Sequence, residues 1–522
     1  MSTEAFQEEL GRVNLNDNCR NTSLEENGDI GKNEMISFKD LSLAREICFI
    51  AVITLAQLFT QAALGQIVAP LHIVGESFGI TNPGELSWFA ASYSLTVGTF
   101  ILPSGRWGDL FGPRKLFITG YIWFGIWSLV AGFSVWSNAL LFHFARAFQG
   151  IGPALMLPNA LALLARMYPS GPRKNMMFSI FAAAAPSGFV FGAVFSSIFA
   201  KLVWWPWSFW VNGIILLVVG LFSIMIIPKS CDSELLPFNS LAQLDLIGSV
   251  VGVTGLVLFN LAWNQGPVVG WITTYTYVIL IIAVIFLIAF FIIEEKFAEH
   301  PLVPLRAISK HTVFVFACIA CGWSSFGIWV FYLFQYNEIA AGRSILLSVA
   351  YVSPCAISGA MAAIITGILL SKWRPSYFLF ISMVAFCLGN VIMATVPIDQ
   401  IYWRQMFFSV IIMPFGMDMS FPSSTIILSE SMSREHQGIA ASLINTVVNY
   451  SVSIGLGIAG TVETNINKSG TEILKGYRSA YYTAVGLAGC GIVVSILFIA
   501  MSHWWESQEQ KNKVTNKDEK LS

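Results

Sequence analysis

The feature that most constrains this chain is a long series of apolar stretches separated by short polar segments. Each stretch can cross about 30 Å of hydrocarbon as a helix that rises about 1.5 Å per residue. Because lipid offers no partners to backbone N–H and C=O groups, each stretch is predicted to be an α-helix. We count fourteen such spans, at residues 47–72, 86–104, 116–135, 138–163, 176–200, 208–228, 244–263, 274–293, 312–334, 346–370, 376–396, 403–427, 439–462 and 480–503.

The composition supports an all-α integral membrane protein. Of the 522 residues, 55% are hydrophobic and 11% are charged, whereas an average soluble protein carries roughly 25% charged residues. This excludes an ordinary soluble enzyme and a disordered chain. The net charge of −1 gives no basic field for nucleic acid. Dispersed histidines, sparse cysteines and the lack of a phosphate-binding loop pattern predict no enzyme activity, no cofactor and no metal site.

The distribution of basic residues predicts the orientation. With the amino terminus inside, the predicted inner loops hold thirteen basic residues and the outer loops and ends hold six, which favours cytoplasmic termini. Asn467 then begins an outer Asn-Lys-Ser glycosylation sequon. Residues 1–45 and 505–522 are predicted cytoplasmic tails, disordered over 1–40 and 506–522. We expect a monomer in the plasma membrane, with the vacuolar membrane as the alternative.

A short internal repeat divides the spans into two groups. The loop after span 2 contains a glycine, an acid, a second glycine and a basic pair at fixed spacing, and the loop after span 10 is a shorter copy without the acid. Repeated six-span halves are typical of secondary transporters. We predict a disordered tail (1–45), an amino-terminal six-helix bundle (46–229), a linker with two inserted spans (230–310), a carboxy-terminal six-helix bundle (311–504) and a second tail (505–522).

The first of these loops resembles the cytoplasmic signature of the major facilitator superfamily, G-x-x-x-D-x-x-G-x-R-K. The resemblance implies two rocking bundles, and we expect the loop to act as a gate that is latched in one state and broken in the other. Its glycines allow close approach of helix ends, and its acid can pair with a neighbouring base. The matching residues are Gly105, Asp109, Gly112, Arg114 and Lys115.

Further motifs resemble a narrower group. R-x-x-Q-G-x-G at Arg146 is similar to a pattern of the superfamily's fourteen-span drug:proton antiporters. Segments around Trp263, Asp418 and Asn445 resemble the fungal aminotriazole-resistance and boron-exporter group, which also includes a proposed ammonium transporter. In span 5, Gly188 and Gly192 remain from an antiporter pattern and are expected to pack helices closely.

One departure from the group bears on proton coupling. Gln61 stands where many fourteen-span relatives carry an aspartate. Glutamine cannot carry a proton, so coupling requires another carboxylate.

Two charges fall well inside the predicted spans, and each calls for an explanation because a charge at a helix centre costs about 2.5–3.5 kcal/mol on insertion scales. Arg146 either fastens neighbouring helices through their carbonyls or faces a central cavity. Asp418, between Pro414 and Pro422, is either a proton or cation site or the ion-pair partner of Arg146. The prolines free backbone carbonyls four residues upstream, which predicts an irregular polar surface at membrane depth. Glu463 lies near a span end, where a solvated position is expected.

Amide side chains complete the candidate substrate and proton pathway. The expected partners of the protein are the lipid bilayer, a small-molecule substrate and protons. The alternative role of each amide is interhelical hydrogen bonding alone. An amide lining with one acid and one base suits a small polar solute. The residues are Gln57 and Gln61 on one face of span 1, Gln149 one turn from Arg146, and Asn445 and Asn449 on one face of span 13.

The predicted function is secondary transport that exports a small polar solute or drug, such as boric acid or an aminotriazole-like compound, by proton antiport. The first alternative is an uncoupled or weakly coupled facilitator of a small solute such as ammonium. A non-transporting nutrient sensor on the same scaffold is the second alternative.

Overall fold

A computed structural model of the chain describes residues 42–80, 82–168, 172–228, 245–298, 301–303, 310–370, 372–430, 437–467 and 470–519. The described residues form sixteen α-helices. These are α1 Leu43–Val68, α2 Leu71–Ser77, α3 Pro83–Phe111, α4 Pro113–Phe133, α5 Ala139–Met167, α6 Pro172–Leu202, α7 Pro206–Ile226, α8 Leu246–Val269, α9 Thr274–Lys296, α10 Lys310–Gln335, α11 Ile345–Val352, α12 Pro354–Leu369, α13 Pro375–Thr395, α14 Met406–Glu430, α15 Gln437–Asn467 and α16 Ile473–Glu519.

Local sequence explains where many helices begin. Proline has no N–H to leave unpaired and its φ angle suits the first helical turn, and six helices start at a proline. Side chains cap others: Asn138 accepts a hydrogen bond from Leu141 N at the start of α5, and Asp245 accepts one from Gly248 N at the start of α8. The six prolines are Pro83, Pro113, Pro172, Pro206, Pro354 and Pro375.

Thirteen described helical segments are long and apolar enough to cross a membrane. Predicted span 2 lies within α3, which is 29 residues long but more polar than those thirteen because it carries a series of buried serines and threonines. At the carboxy terminus the predicted disordered segment is wrong, since α16 continues to Glu519.

Helix contacts divide the membrane helices into two bundles. In the first, α1 packs on α6, and α5 packs on α3 and α4; in the second, α10 packs on α15 and α16, and α14 packs on α12 and α13. The main contacts between the bundles are α3 with α15 and α6 with α12.

The inserted helices α8 and α9 pack on each other, and α8 also packs on α3 and α15. Gly252 and Gly255 allow this close pairing, because Phe290 and Leu287 of α9 lie against them. The buried residues of α9, Thr276, Ala283, Phe290 and Glu294, lie on one face, while large apolar side chains elsewhere on the helix are exposed.

The hydrophobic core of the described residues joins the two bundles most extensively at one end. One cluster joins residues from the end of α1 and from α2 with residues of α10, including Trp329 and Tyr332. His72 of α2 and Gln335 of α10 are hydrogen-bonded to each other in the same region. Toward the opposite end the core divides into one cluster within the first bundle and another mainly within the second. We call the His72–Gln335 end the closed end; it is the predicted outer end.

Candidate functional site

Arg146 is fully buried in α5, and all its described partners lie in the first bundle. Its Nε donates to Phe89 O at 3.1 Å and its Nη2 donates to Ala63 O at 2.9 Å. Its Nη1 donates to Gln149 Oε1. The guanidinium also lies 4.6 Å from the ring centroid of Tyr93. Arg146 thus joins α1, α3 and α5, as a fastener would.

Gln149 extends this network to α4, because its Nε2 donates to Ser128 Oγ at 2.6 Å. Arg146 and Gln149 are both 0% exposed. The structure therefore brings these two predicted residues together but buries them inside one bundle. Among the described residues, neither contacts Asp418, so the geometry offers no support for an Arg146–Asp418 ion pair.

Asp418 lies in α14 at a contact between the two bundles. It is half-buried, and its Oδ2 atom is enclosed without a hydrogen-bond partner among the described residues. A Cβ placed on Gly359 of α12 would lie 3.0 Å from that oxygen and 2.7 Å from Pro186 Cβ of α6. Helix α14 continues through Pro414 and Pro422.

The remaining amides take two positions. Gln57 and Gln61 are half-buried on α1. Asn449 and Asn445 lie on α15, where Asn449 Nδ2 donates to Asn445 O at 3.0 Å. A Cβ on Gly98 of α3 would lie 3.2 Å from Asn449 Cβ, so Asn449 lies at the α3–α15 contact between the bundles.

The motif between α3 and α4 lies at the end opposite the closed end. Arg114 is buried, and it donates from Nε to Ile227 O and from Nη2 to Ile224 O, each at 2.8 Å, at the end of α7. Gly112 adopts φ 99°, which favours glycine. Lys115 is exposed, and the side chain of Asp109 lies outside the described residues.

Gly105 from the same motif faces the second bundle. A Cβ at that position would lie 2.9 Å from Ser442 Oγ of α15. The motif therefore touches the partner bundle through a glycine, while Arg114 is held within its own bundle.

The two span-5 glycines lie between α6 and α1. A Cβ on Gly188 would overlap the carbonyl oxygen of Leu58, and one on Gly192 would overlap that of Ala62. The two backbones are therefore in direct contact at both positions, which leaves no room for a side chain.

Sequence reasoning missed a buried carboxylate in the second bundle. Glu463 of α15 is 1% exposed, so the expected solvated position is wrong. Tyr332 Oη donates to Glu463 Oε2 at 2.9 Å. Asn467, the predicted glycosylation residue, lies beside it and is 8% exposed. Its partner Tyr332 lies 131 residues earlier in the chain, so no local pattern indicated the burial of Glu463.

Two membrane-embedded helical bundles that meet along two helix pairs, with a half-buried carboxylate at one contact, form the architecture of a secondary transporter. The chain belongs to the Major Facilitator Superfamily, whose sequence pattern it matches over residues 50–456. It is therefore a multi-pass membrane transporter and not an enzyme.

Characterised fungal proteins resemble the chain over most of its length. A low affinity ammonium transporter of Saccharomyces cerevisiae is 54% identical, over 91% of this chain and 92% of that protein. The efflux pump terJ of Aspergillus terreus is 47% identical over 92% and 93%. The aminotriazole resistance protein of Saccharomyces cerevisiae is 40% identical over 88% and 84%. These relatives place the chain in a fungal group that includes drug-efflux transporters.

Solved structures support the fold. A crystal structure of a POT family transporter in complex with a thioalcohol-conjugated peptide aligns with a TM-score of 0.64 at 14% identity, over 87% of this chain and 96% of that one. At this identity the similarity concerns the fold alone.

Proposed function

We propose that this transporter exports a small polar solute in exchange for protons, and that Asp418 carries the proton. The observation that supports this most directly is the enclosed Oδ2 atom of Asp418, which has no hydrogen-bond partner among the described residues at the α6–α12 contact. An unpaired carboxylate in a low-dielectric site is costly. A proton or a cation removes that cost while the contact is closed.

The position of Asp418 explains how the proton could drive transport. In alternating access the bundles rock about a central site, so the α6–α12 contact must change between states. When the contact opens, water solvates the carboxylate and the proton can leave. Closure around the carboxylate then requires a new proton or a cationic substrate, which couples its occupancy to the movement of the bundles.

The polar side chains and the relatives support the proposed class of solute. Asn449 offers an amide at the α3–α15 contact between the bundles, and Gln57 and Gln61 offer half-buried amides on α1. Amide donors and acceptors suit a small neutral or polar molecule. Among the relatives, one is described as an efflux pump and one as an aminotriazole resistance protein. We therefore propose boric acid or an aminotriazole-like compound as the exported solute.

A second candidate function is facilitated transport of ammonium with weak or no proton coupling. Gln61 in place of an aspartate favours it. So does the 54% identity to a protein described as a low affinity ammonium transporter. A non-transporting sensor has no comparable support.

Flux through sealed vesicles that contain the purified protein separates these candidates. Boric acid, aminotriazole and methylammonium are each tested with and without a pH gradient, using wild type, Asp418→Asn and the control Asp245→Asn, whose carboxylate caps α8. If the proposal is correct, wild type and Asp245→Asn show flux driven by the pH gradient, and Asp418→Asn shows none. Equilibrating flux that needs no gradient and survives Asp418→Asn would instead establish a facilitator.

We further propose that the protein works as a monomer in the plasma membrane, with both tails in the cytoplasm. The distribution of basic residues supports this orientation. Labelling of an introduced cysteine in each tail by an impermeant reagent, before and after cell lysis, tests it. Labelling in intact cells would contradict the cytoplasmic assignment.

A further inference from the structure

A second enclosed carboxylate lies in the carboxy-terminal bundle, apart from Asp418. Helices α10, α15 and α16 surround Glu463, which is 1% exposed. A Cβ on Gly476 of α16 would lie 3.1 Å from Glu463 Cγ and 3.2 Å from Asn467 Cβ. The absence of a side chain at Gly476 thus lets α16 close over both polar groups.

The hydrogen bonds around Glu463 are incomplete. Tyr332 donates to Oε2 at 2.9 Å, and the Asn467 side chain makes a second hydrogen bond to the carboxyl group. Glu463 Oε1 and the neighbouring Asn467 Oδ1 are both buried without a hydrogen-bond partner among the described residues. Each of these oxygens is an acceptor when the glutamate is ionised. A proton on Oε1 would turn one of them into a donor that can serve the other.

The titratable neighbours of Glu463 are tyrosines. Tyr332 lies on α10, and its ring centroid is 5.6 Å from that of Tyr477 and 6.3 Å from that of Tyr481, both on α16. Arg478 Nη2 donates to Val396 O at 3.2 Å. Within the described residues, no cationic side chain contacts Glu463, so the expected stabiliser of an ionised carboxylate is missing.

Two other charged residues are close in sequence. Lys475 Nζ lies 2.7 Å from Glu472 Oε2, so that lysine is paired within its own helical turn. Lys468 lies outside the described residues, and the experiment therefore includes it as a variant.

The location links this site to the closed end. Tyr332 is one turn before Gln335 on α10, and Gln335 is hydrogen-bonded to His72 of the other bundle. Tyr332, Tyr477 and Tyr481 belong to the hydrophobic cluster that joins the bundles at this end. Opening the closed end must therefore disturb the packing over Glu463.

We propose that Glu463 is a proton-binding site that is occupied while the His72–Gln335 end is closed and that exchanges its proton when this end opens. The site takes a proton and is independent of the role proposed for Asp418. Protonation lets Oε1–H donate to Asn467 Oδ1 while Oε2 accepts from Tyr332, so all three groups are satisfied without a further ligand. The proton enters from water on the closed-end side and returns there.

Infrared spectroscopy of the purified protein in vesicles at neutral pH tests occupancy directly, because a protonated carboxyl group has its own C=O band. We expect Glu463→Gln to fold and to lose one such band, Asp418→Asn to retain that band, and Tyr332→Phe to shift it. An unchanged band pattern in Glu463→Gln would overturn the proposal. So would a Glu463→Gln protein that cannot fold, since glutamine closely resembles the protonated acid in size and charge.

Two rival states of Glu463 have distinct outcomes. If Lys468 keeps Glu463 ionised, the C=O band of protonated Glu463 is absent from the wild-type spectrum and present in that of Lys468→Gln. If the site binds a cation, ammonium or sodium chloride raises the melting temperature of wild type but not of Glu463→Gln. Either result would overturn the proposal, whereas identical bands in wild type and Lys468→Gln support it.

The exchange step has its own measurement. Transfer to D₂O lowers the frequency of the carboxyl band as the proton is replaced. Gln335→Ala removes the hydrogen bond to His72, so we expect faster replacement than in wild type and in the control Ser442→Ala at the opposite end. Equal rates in all three proteins would contradict exchange through the closed end.

Discussion

At the scale of single residues, the contact between α1 and α6 depends on the absence of side chains at two positions. Gly192→Ala would place a methyl group on the carbonyl oxygen of Ala62. We expect destabilisation by about 1–3 kcal/mol, as for other overpacked sites, together with loss of transport. The melting temperature in detergent measures the effect.

The matched control for Gly192 is Gly486→Ala, because a Cβ at Gly486 meets nothing within 4 Å. We expect this substitution to leave the melting temperature unchanged or to raise it, since alanine is the better helix former. Equal losses from both substitutions would show that close packing of α1 and α6 is not the cause.

Arg146 illustrates how a charge within the membrane can be structural. Lysine at this position keeps the charge but lacks the planar fork that reaches Phe89 O, Ala63 O and Gln149 together. We expect Arg146→Lys to lower stability by about 1–3 kcal/mol through unsatisfied buried acceptors. Arg404→Lys is the control, because Arg404 is exposed at the end of a short 3₁₀ helix. Wild-type stability with altered substrate affinity would instead favour the cavity-facing alternative.

At the scale of helices, the spans and the close-packing glycines could be predicted because hydropathy and residue size are local properties. The continuity of α14 through two prolines could not, since neighbouring helices and hydroxyl groups decide it. The burial of Glu463 depends in part on Tyr332, which lies 131 residues earlier in the chain. The partners of Arg146 on α1 and α3 were likewise not visible in any local pattern.

Helix α8 meets both bundles through one small polar network. Ser453 Oγ of α15 donates to Asn260 Oδ1 of α8 at 2.8 Å and lies 3.5 Å from Ala91 O of α3. Asn264 Nδ2 donates to Ser453 Oγ at 3.3 Å. Because the network lies where α3 and α15 meet, a change there reaches α8 directly.

We expect Ser453→Ala to destabilise the protein by about 1–3 kcal/mol, since it removes the two buried hydrogen bonds between its hydroxyl and the amides of Asn260 and Asn264, which then keep only the bonds they make within α8. Ser479→Ala is the control, because the Ser479 hydroxyl bonds only to Lys475 O of its own helix. Melting temperatures of the two variants test this expectation. Equal melting temperatures of Ser453→Ala and Ser479→Ala would show that α8 is held by apolar packing alone.

At the scale of the whole molecule, the closed end should respond to pH. Burial lowers the pKa of His72, while the hydrogen bond to Gln335 and the nearby Glu76 partly oppose this. His72 therefore favours its neutral form when the end is closed. In an open state, contact with water restores the ordinary pKa of about 6.5, so the open state binds more protons.

Lowering the pH from above about 6.5, the ordinary pKa of histidine, should therefore shift the population toward the open state. The shift is complete when the pH lies below the lowered pKa that His72 has in the closed state. Hydrogen exchange of residues 68–77, compared at pH 8 and pH 5, measures it. After division by the intrinsic amide exchange rate at each pH, we expect lower protection at pH 5 than at pH 8 in wild type and no such decrease in His72→Gln. A pH effect of equal size in both proteins would assign the response to another group.

The inserted helices have a consequence for the influence of the lipid. Most large apolar side chains of α9 are exposed, and α9 packs on α8, which meets α3 and α15 where the bundles join. A bilayer thinner than α9 requires will tilt that helix, and α8 will transmit the tilt to the α3–α15 contact. The turnover rate should then depend on acyl-chain length, so this transporter would sense the thickness of the membrane that contains it.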